Sequence, residues 1–149
     1  MKPSVPLDSD DVRAVLARML NGGPLDHLPT RRGDAEVLLA LASAAFESGR
    51  VYREVEVNDR LTQWLDGFAA PGMVDHVSLR RRLVDQRYLL RNPAGAAYRV
   101  NREKTAERLS PAAQSIDPGV VLASVESERA RRKRARSNLS DSIEHESPL

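Results

Sequence analysis

Apolar positions along the chain recur with a helical period in several stretches and switch to a strand-like pattern once. Val12, Val15, Leu16, Met19 and Leu20 fall at i, i+3, i+4, i+7 and i+8, the spacing of one buried helical stripe. Ser9 and Asn21-Gly-Gly-Pro24 bound it. That stripe must be covered, either by the rest of the same chain or by a second copy. Asp34 to Ser48, rich in Ala and Leu and closed by Gly49, predicts a helix with a glycine C-cap. Val57, Leu61, Trp64 and Leu65, with Phe68 just beyond, predict an amphipathic helix within Tyr52–Leu65. Gly67, Pro71 and Gly72 then force a turn.

The switch comes after Asp75, a residue able to accept the free N–H groups of a first helical turn. Leu79 and Leu83 form the buried side of the next helix, while Ser78, Arg81, Arg82 and Asp85 share the wet side. Tyr88 to Arg91 reads as a strand, Asn92-Pro-Ala-Gly95 supplies turn chemistry, and Ala96 to Val100 returns as a second strand. Val51 and Tyr52 supply a short strand to pair with this hairpin. Helix, turn, basic helix and hairpin in that order predict a winged helix-turn-helix, mainly α with a small β-hairpin. An extra N-terminal helix precedes it, and a C-terminal helix or basic tail follows.

Beyond the hairpin, Asp117-Pro118 is an N-cap and first-turn pair for a helix carrying Val120, Val121, Leu122 and Val125. Arg129 to Arg136 then holds 6 cations in 8 positions, too dense for a packed face and expected to repel itself open without an anion. This run reads either as the solvated end of a helix or as a phosphate contact that orders on binding. The expected organisation is a flanking helix and linker over 1–27, the winged helix over 28–108, a helical segment with the basic run over 109–136, and a disordered tail over 137–149.

Charge sharpens this division. The chain of 149 residues has a net charge of +2, yet residues 1–74 carry 8 basic and 11 acidic side chains and residues 75–108 carry 9 and 4. Positive charge therefore begins where the basic helix begins, the footprint of a phosphate-binding protein. With no cysteine and with His27, His76 and His145 scattered, neither a disulfide framework nor a metal site is expected, and no cofactor. No general acid and base pair or glycine-rich phosphate loop stands out, so the chain does not read as an enzyme. The lack of a long apolar run or secretory apolar core points to a cytoplasmic protein without a membrane partner.

Tyr52, Glu54, Glu56-Val57-Asn58 and Leu61, then Asp75, Leu79-Arg80-Arg81 and Leu83-Val84-Asp85, then Leu90-Arg91, Gly95 and Tyr98 together resemble the bacterial domain of unknown function numbered two-zero-eight-seven. The resemblance spans roughly Leu28 to Asn101. It implies a small winged-helix domain associated with transcription regulators, and no assigned catalytic or ligand-binding residues. Arg53 departs from the pattern, which has a small hydroxyl residue suited to capping the following helix.

These readings converge on a small DNA-binding transcription regulator whose basic helix, about 75–87, enters a major groove with a wing at about 88–100. A winged-helix protein-interaction module using the Val77 and Val84 edge is the alternative. Ser78, Arg81 and Arg82 are the candidates for base contact. Arg91 and Arg99 on the wing, Arg31 and Arg32 at a helix start, and Arg131, Arg132, Lys133 and Arg134 in the basic run are candidates for the backbone. Arg80 lies beside the buried stripe and is expected to pair with Glu56 or Glu54. Duplex DNA is the expected partner, with a homodimer or another protein as further possibilities. Tyr88, Tyr98 and Trp64 are expected to fill the interior, because aromatics make up only 4% of the chain.

Overall fold

The computed structural model describes residues 5–145, with side chains as far as residue 139. In chain order the elements are α1 (Ser9–Met19), α2 (Arg32–Ala44), β1 (Tyr52–Arg53), α3 (Glu54–Asp66), α4 (His76–Asp85), β2 (Leu89–Arg91), β3 (Ala97–Val100), α5 (Arg102–Arg108) and α6 (Pro118–His145), with a 3-10 turn at Ala113–Ser115. The strands form one antiparallel sheet in the order β1-β3-β2. Its register sets Tyr52 opposite Tyr98 and Leu89 opposite Val100. The fold is thus mainly helical with a small sheet, in the order of a winged helix.

One core runs through all of it. Val57, Leu61 and Leu65 of α3 meet Leu79 and Leu83 of α4, together with Phe46, Tyr52, Tyr88, Leu89 and Tyr98. Burying each aliphatic side chain stabilises the fold by roughly 1.5–3 kcal/mol before ordering entropy is counted. The α1 stripe is covered from within the chain. Val12, Leu16 and Leu20 are buried, and α1 packs on α2, α6 and the 3-10 turn. It starts at Ser9, the expected boundary, and its N-cap is Asp8, in a reciprocal box: Asp11 N–H donates to Asp8 Oδ1 at 2.8 Å and Asp8 N–H to Asp11 Oδ2 at 3.3 Å.

The flanks are also tied to the centre by backbone. Leu7 N–H donates to the Arg108 carbonyl at 2.8 Å, and Ser110 N–H to the Leu7 carbonyl at 2.9 Å. Leu25 bridges to the α3–α4 connection in the same way, donating to Phe68 O at 2.9 Å and accepting from Ala70 N–H at 2.7 Å.

Three expectations are corrected. Helix α2 ends at Ala44, before the expected glycine cap: Ala45 N–H and Phe46 N–H bond to the carbonyls of Ala42 and Ser43, a tightening that buries Phe46 against the edge of Tyr52 at 5.0 Å between ring centres. Gly49, at φ +81°, serves the turn that follows. Second, Asn101 to Arg108 contains α5, which the apolar pattern did not announce. Its Thr105 hydroxyl meets Ser43 at 2.7 Å in a fully buried pair joining α5 to α2. Third, α6 continues through the basic run to His145, so neither an opened run nor a disordered segment over 137–145 is found; residues 146–149 of the expected tail lie outside the described residues. Within α6, Val121 and Leu122 are buried while Val120 is exposed.

Candidate nucleic-acid interface

Helices α3 and α4 with the 67–75 connection form the helix-turn-helix, and both helix starts are built from carboxylates. Asp75 caps α4: its Oδ1 accepts Val77 N–H at 3.1 Å and its Oδ2 accepts the Ser78 hydroxyl at 3.0 Å. Those donated bonds hold its carboxyl below the ordinary value. At α3, Arg53 has no side-chain acceptor, so half of a capping box survives. Glu56 Oε1 accepts Arg53 N–H at 3.0 Å and Arg53 Nε at 3.1 Å, and Arg50 lies 3.3 Å from Glu56 Oε2. The backbone bond from Arg53, followed by its side-chain bond, lowers the Glu56 carboxyl. Glu56 is therefore occupied with Arg50 and Arg53, and of the two expected partners of Arg80 only Glu54 meets it.

Arg80 is 14% exposed; its guanidinium sits 3.4 Å from Glu54 and donates to Asn58 Oδ1. Tyr98 Oη donates to the same Glu54 oxygen at 3.1 Å; burial first, and this bond second, push the Tyr98 phenol up. The four side chains tie α3, α4 and β3 together. Arg81, the next residue of α4, is exposed and borders the same depression as Arg80 and Asp85. Arg82 differs from the wheel expectation. Its guanidinium folds back to the Pro29 carbonyl at 3.4 Å and borders a depression with Thr30, Glu36 and Asp85. The wheel fixes the direction of Cβ, and the long side chain then carries the charge toward the α1–α2 linker.

The hairpin is shaped by Asn92 and Gly95. Asn92 Oδ1 accepts Ala96 N–H at 2.9 Å and Ala97 N–H at 3.2 Å. Gly95, at φ +74°, leaves room for the Arg91 guanidinium: a Cβ there would lie 2.5 Å from Arg91 Nη2. Arg91 is also 5.8 Å from the centre of the Tyr98 ring. Arg81 and Arg91 border one depression of about 230 Å³ between α4 and the hairpin, with Glu54, Arg80, Asp85 and Tyr98 in its wall. Arg99 lies on the hairpin's other flank, beside Val51, Leu90 and Pro93. Arg31 is the exposed residue at the N-terminus of α2, which has no side-chain cap, and Arg32 pairs with Glu36 at 3.2 Å.

In α6 the basic run divides between two sides of the helix. Arg129, Arg132, Lys133 and Arg136 line one open groove with Asn21, the i, i+3, i+4, i+7 set of one face. Arg129 anchors this face by donating to the Asn21 carbonyl at 2.6 Å. Arg131 and Arg134 point the other way. Arg131 and Arg132 approach Glu128 at 3.7 and 3.8 Å, exposed contacts worth little in water. Arg129 and Arg136 are additions to the expected set, legible from the helical spacing within the run.

Two helices joined by a turn and followed by a β-hairpin make this mainly helical fold compatible with the winged-helix class. The chain belongs to a family described as uncharacterized proteins conserved in bacteria (DUF2087), whose model matches residues 24–100. Comparison with curated proteins and with solved structures finds no match. Among the described residues no helix is long and apolar enough to cross a membrane.

Proposed function

We propose that the chain is a duplex-DNA-binding winged helix acting in transcription. The observation that carries this reading is that Arg81 and Arg91 share one depression between α4 and the hairpin, in whose wall Arg80 is paired with Glu54 and bonded to Asn58. In this reading Ser78 and Arg81 enter a major groove, where an Arg fork matches the guanine edge. Arg91 and Arg99 follow the adjacent phosphates, and the Arg129, Arg132, Lys133, Arg136 face of α6 adds backbone attraction without base reading. Asp85 beside Arg81 limits the charge of the groove-facing side, so backbone contacts carry much of the affinity.

Fluorescence anisotropy of the full chain with random-sequence duplex across a salt series tests the reading. Binding should weaken steeply with salt. Arg81→Ala/Arg91→Ala and Arg132→Ala/Lys133→Ala/Arg136→Ala should each flatten the slope, by roughly one unit for every phosphate no longer neutralised. Absence of binding at low salt would reject the reading.

A protein-interaction role is favoured by one observation. Val51, 64% exposed, borders an apolar groove with Leu90, Pro93, Ala97 and Tyr98 on the flank of the sheet. The Val77 and Val84 edge is less suited, because both residues are half-buried.

A further inference from the structure

Helix α4 ends in a turn that ordinarily calls for glycine. Arg87 N–H donates to the Val84 carbonyl at 3.1 Å and Tyr88 N–H to the Leu83 carbonyl at 2.8 Å, closing the last turn with Arg87 left-handed at φ +64°. The other left-handed positions among the described residues are Gly23, Gly49, Gly72 and Gly95. A side chain with a Cβ is disfavoured there and glycine is not.

The backbone at this point is also held from the sheet side. Asn101 Nδ2 donates to the Arg87 carbonyl at 2.9 Å, and Asn101 N–H donates to the carbonyl of buried Tyr88 at 2.9 Å. The start of the Arg87 side chain is thus fixed by two elements, while the side chain itself is exposed. A cation here also meets the negative end of the α4 dipole. That attraction is available to any arginine or lysine in the last turn, so it does not account for placing one where the backbone is strained by it.

We infer that Arg87 contacts a phosphate of the bound duplex at the corner where α4 passes into the wing, a contact that rests on the DNA-binding reading above. The strained backbone is retained because the side chain it aims is used. Arg87→Gly in the full chain separates this role from a structural one, because backbone and side chain then pull in opposite directions. The melting temperature of Arg87→Gly should equal or exceed that of the parent. Its affinity for random-sequence duplex should fall by roughly 3–10-fold at low salt, with the salt slope smaller by about one unit. Arg87→Asn, which also tolerates the left-handed conformation, should bind as weakly and guards against an effect of glycine flexibility. Parent-like binding by both variants would overturn the contact and leave DNA binding itself intact. If the parent fails to bind duplex, the failure lies in the underlying reading and removes the contact with it.

Discussion

Consecutive arginines on α4 have opposite surroundings, and their substitutions should differ accordingly. Arg80→Ala removes the bond to Asn58 and the contact with half-exposed Glu54, leaving the Asn58 oxygen without its cation. A bond from a charged donor to a half-buried acceptor is worth about 1–2 kcal/mol after solvent screening, so Arg80→Ala should lower stability by that much in urea denaturation. Arg81→Ala, at an exposed position with no ion pair among the described residues, should change stability by less than about 0.5 kcal/mol. Equal destabilisation by the two would mean that the internal bond contributes nothing. The distinction was legible in the sequence from the wheel, which set Arg80 beside Leu79 and Leu83, and Asn58 was readable as a polar residue inside an apolar helical pattern. The direction of Arg82 was not legible, because a guanidinium at the end of a long stem can reach either side of its own helix.

At the level of elements, α4 and the hairpin were readable because each carries its own punctuation: an aspartate cap, an Asn-Pro-Ala-Gly turn and a clean stripe. Helix α5 was not, since its seven residues bury one side chain, Thr105, and a single buried hydroxyl makes no periodicity. The end of α2 was misread because Gly49 drew the boundary four residues beyond the tightened turn at Ala45 and Phe46. The caps themselves make a pH prediction. Glu56 is depressed mainly by the Arg53 N–H, and Asp75 mainly by the Val77 N–H. A carboxylate lowered on folding adds stability that is complete above its unfolded value, near 4.5 for Glu56 and 3.8 for Asp75, and is lost as pH falls through the folded one. The parent should therefore melt at falling temperatures below about pH 4.5. Glu56→Gln/Asp75→Asn keeps hydrogen-bond acceptors at both helix starts without the titrating charge, so its acid limb should be flatter. Superimposable pH profiles would remove the caps from the acid response.

Across the whole molecule, the family match ends well inside the packed core. Residues 24–100 contain the helix-turn-helix and sheet, but Val12, Leu16, Leu20, Leu109, Ala113, Val121 and Leu122 belong to the same buried cluster. The packing of α1 on α2 joins the flanks to the family segment, while the Leu7–Leu109 pair and the packing of α1 on α6 join the two flanks to each other. Trp64 of α3, edge-on to Phe68 at 4.7 Å between ring centres, reports from within the family segment. Leu16→Ala opens a cavity outside that segment and should cost about 2–5 kcal/mol. If the unit is cooperative, the variant should lower the midpoint of the Trp64 fluorescence transition together with that of the helical circular dichroism. A Trp64 transition left at the parent midpoint would make α1 an appendage and divide the chain near residue 24. Coincident shifts would instead mean that the terminal helices are required to hold α4 and the wing in place, and that residues 24–100 alone are an incomplete core.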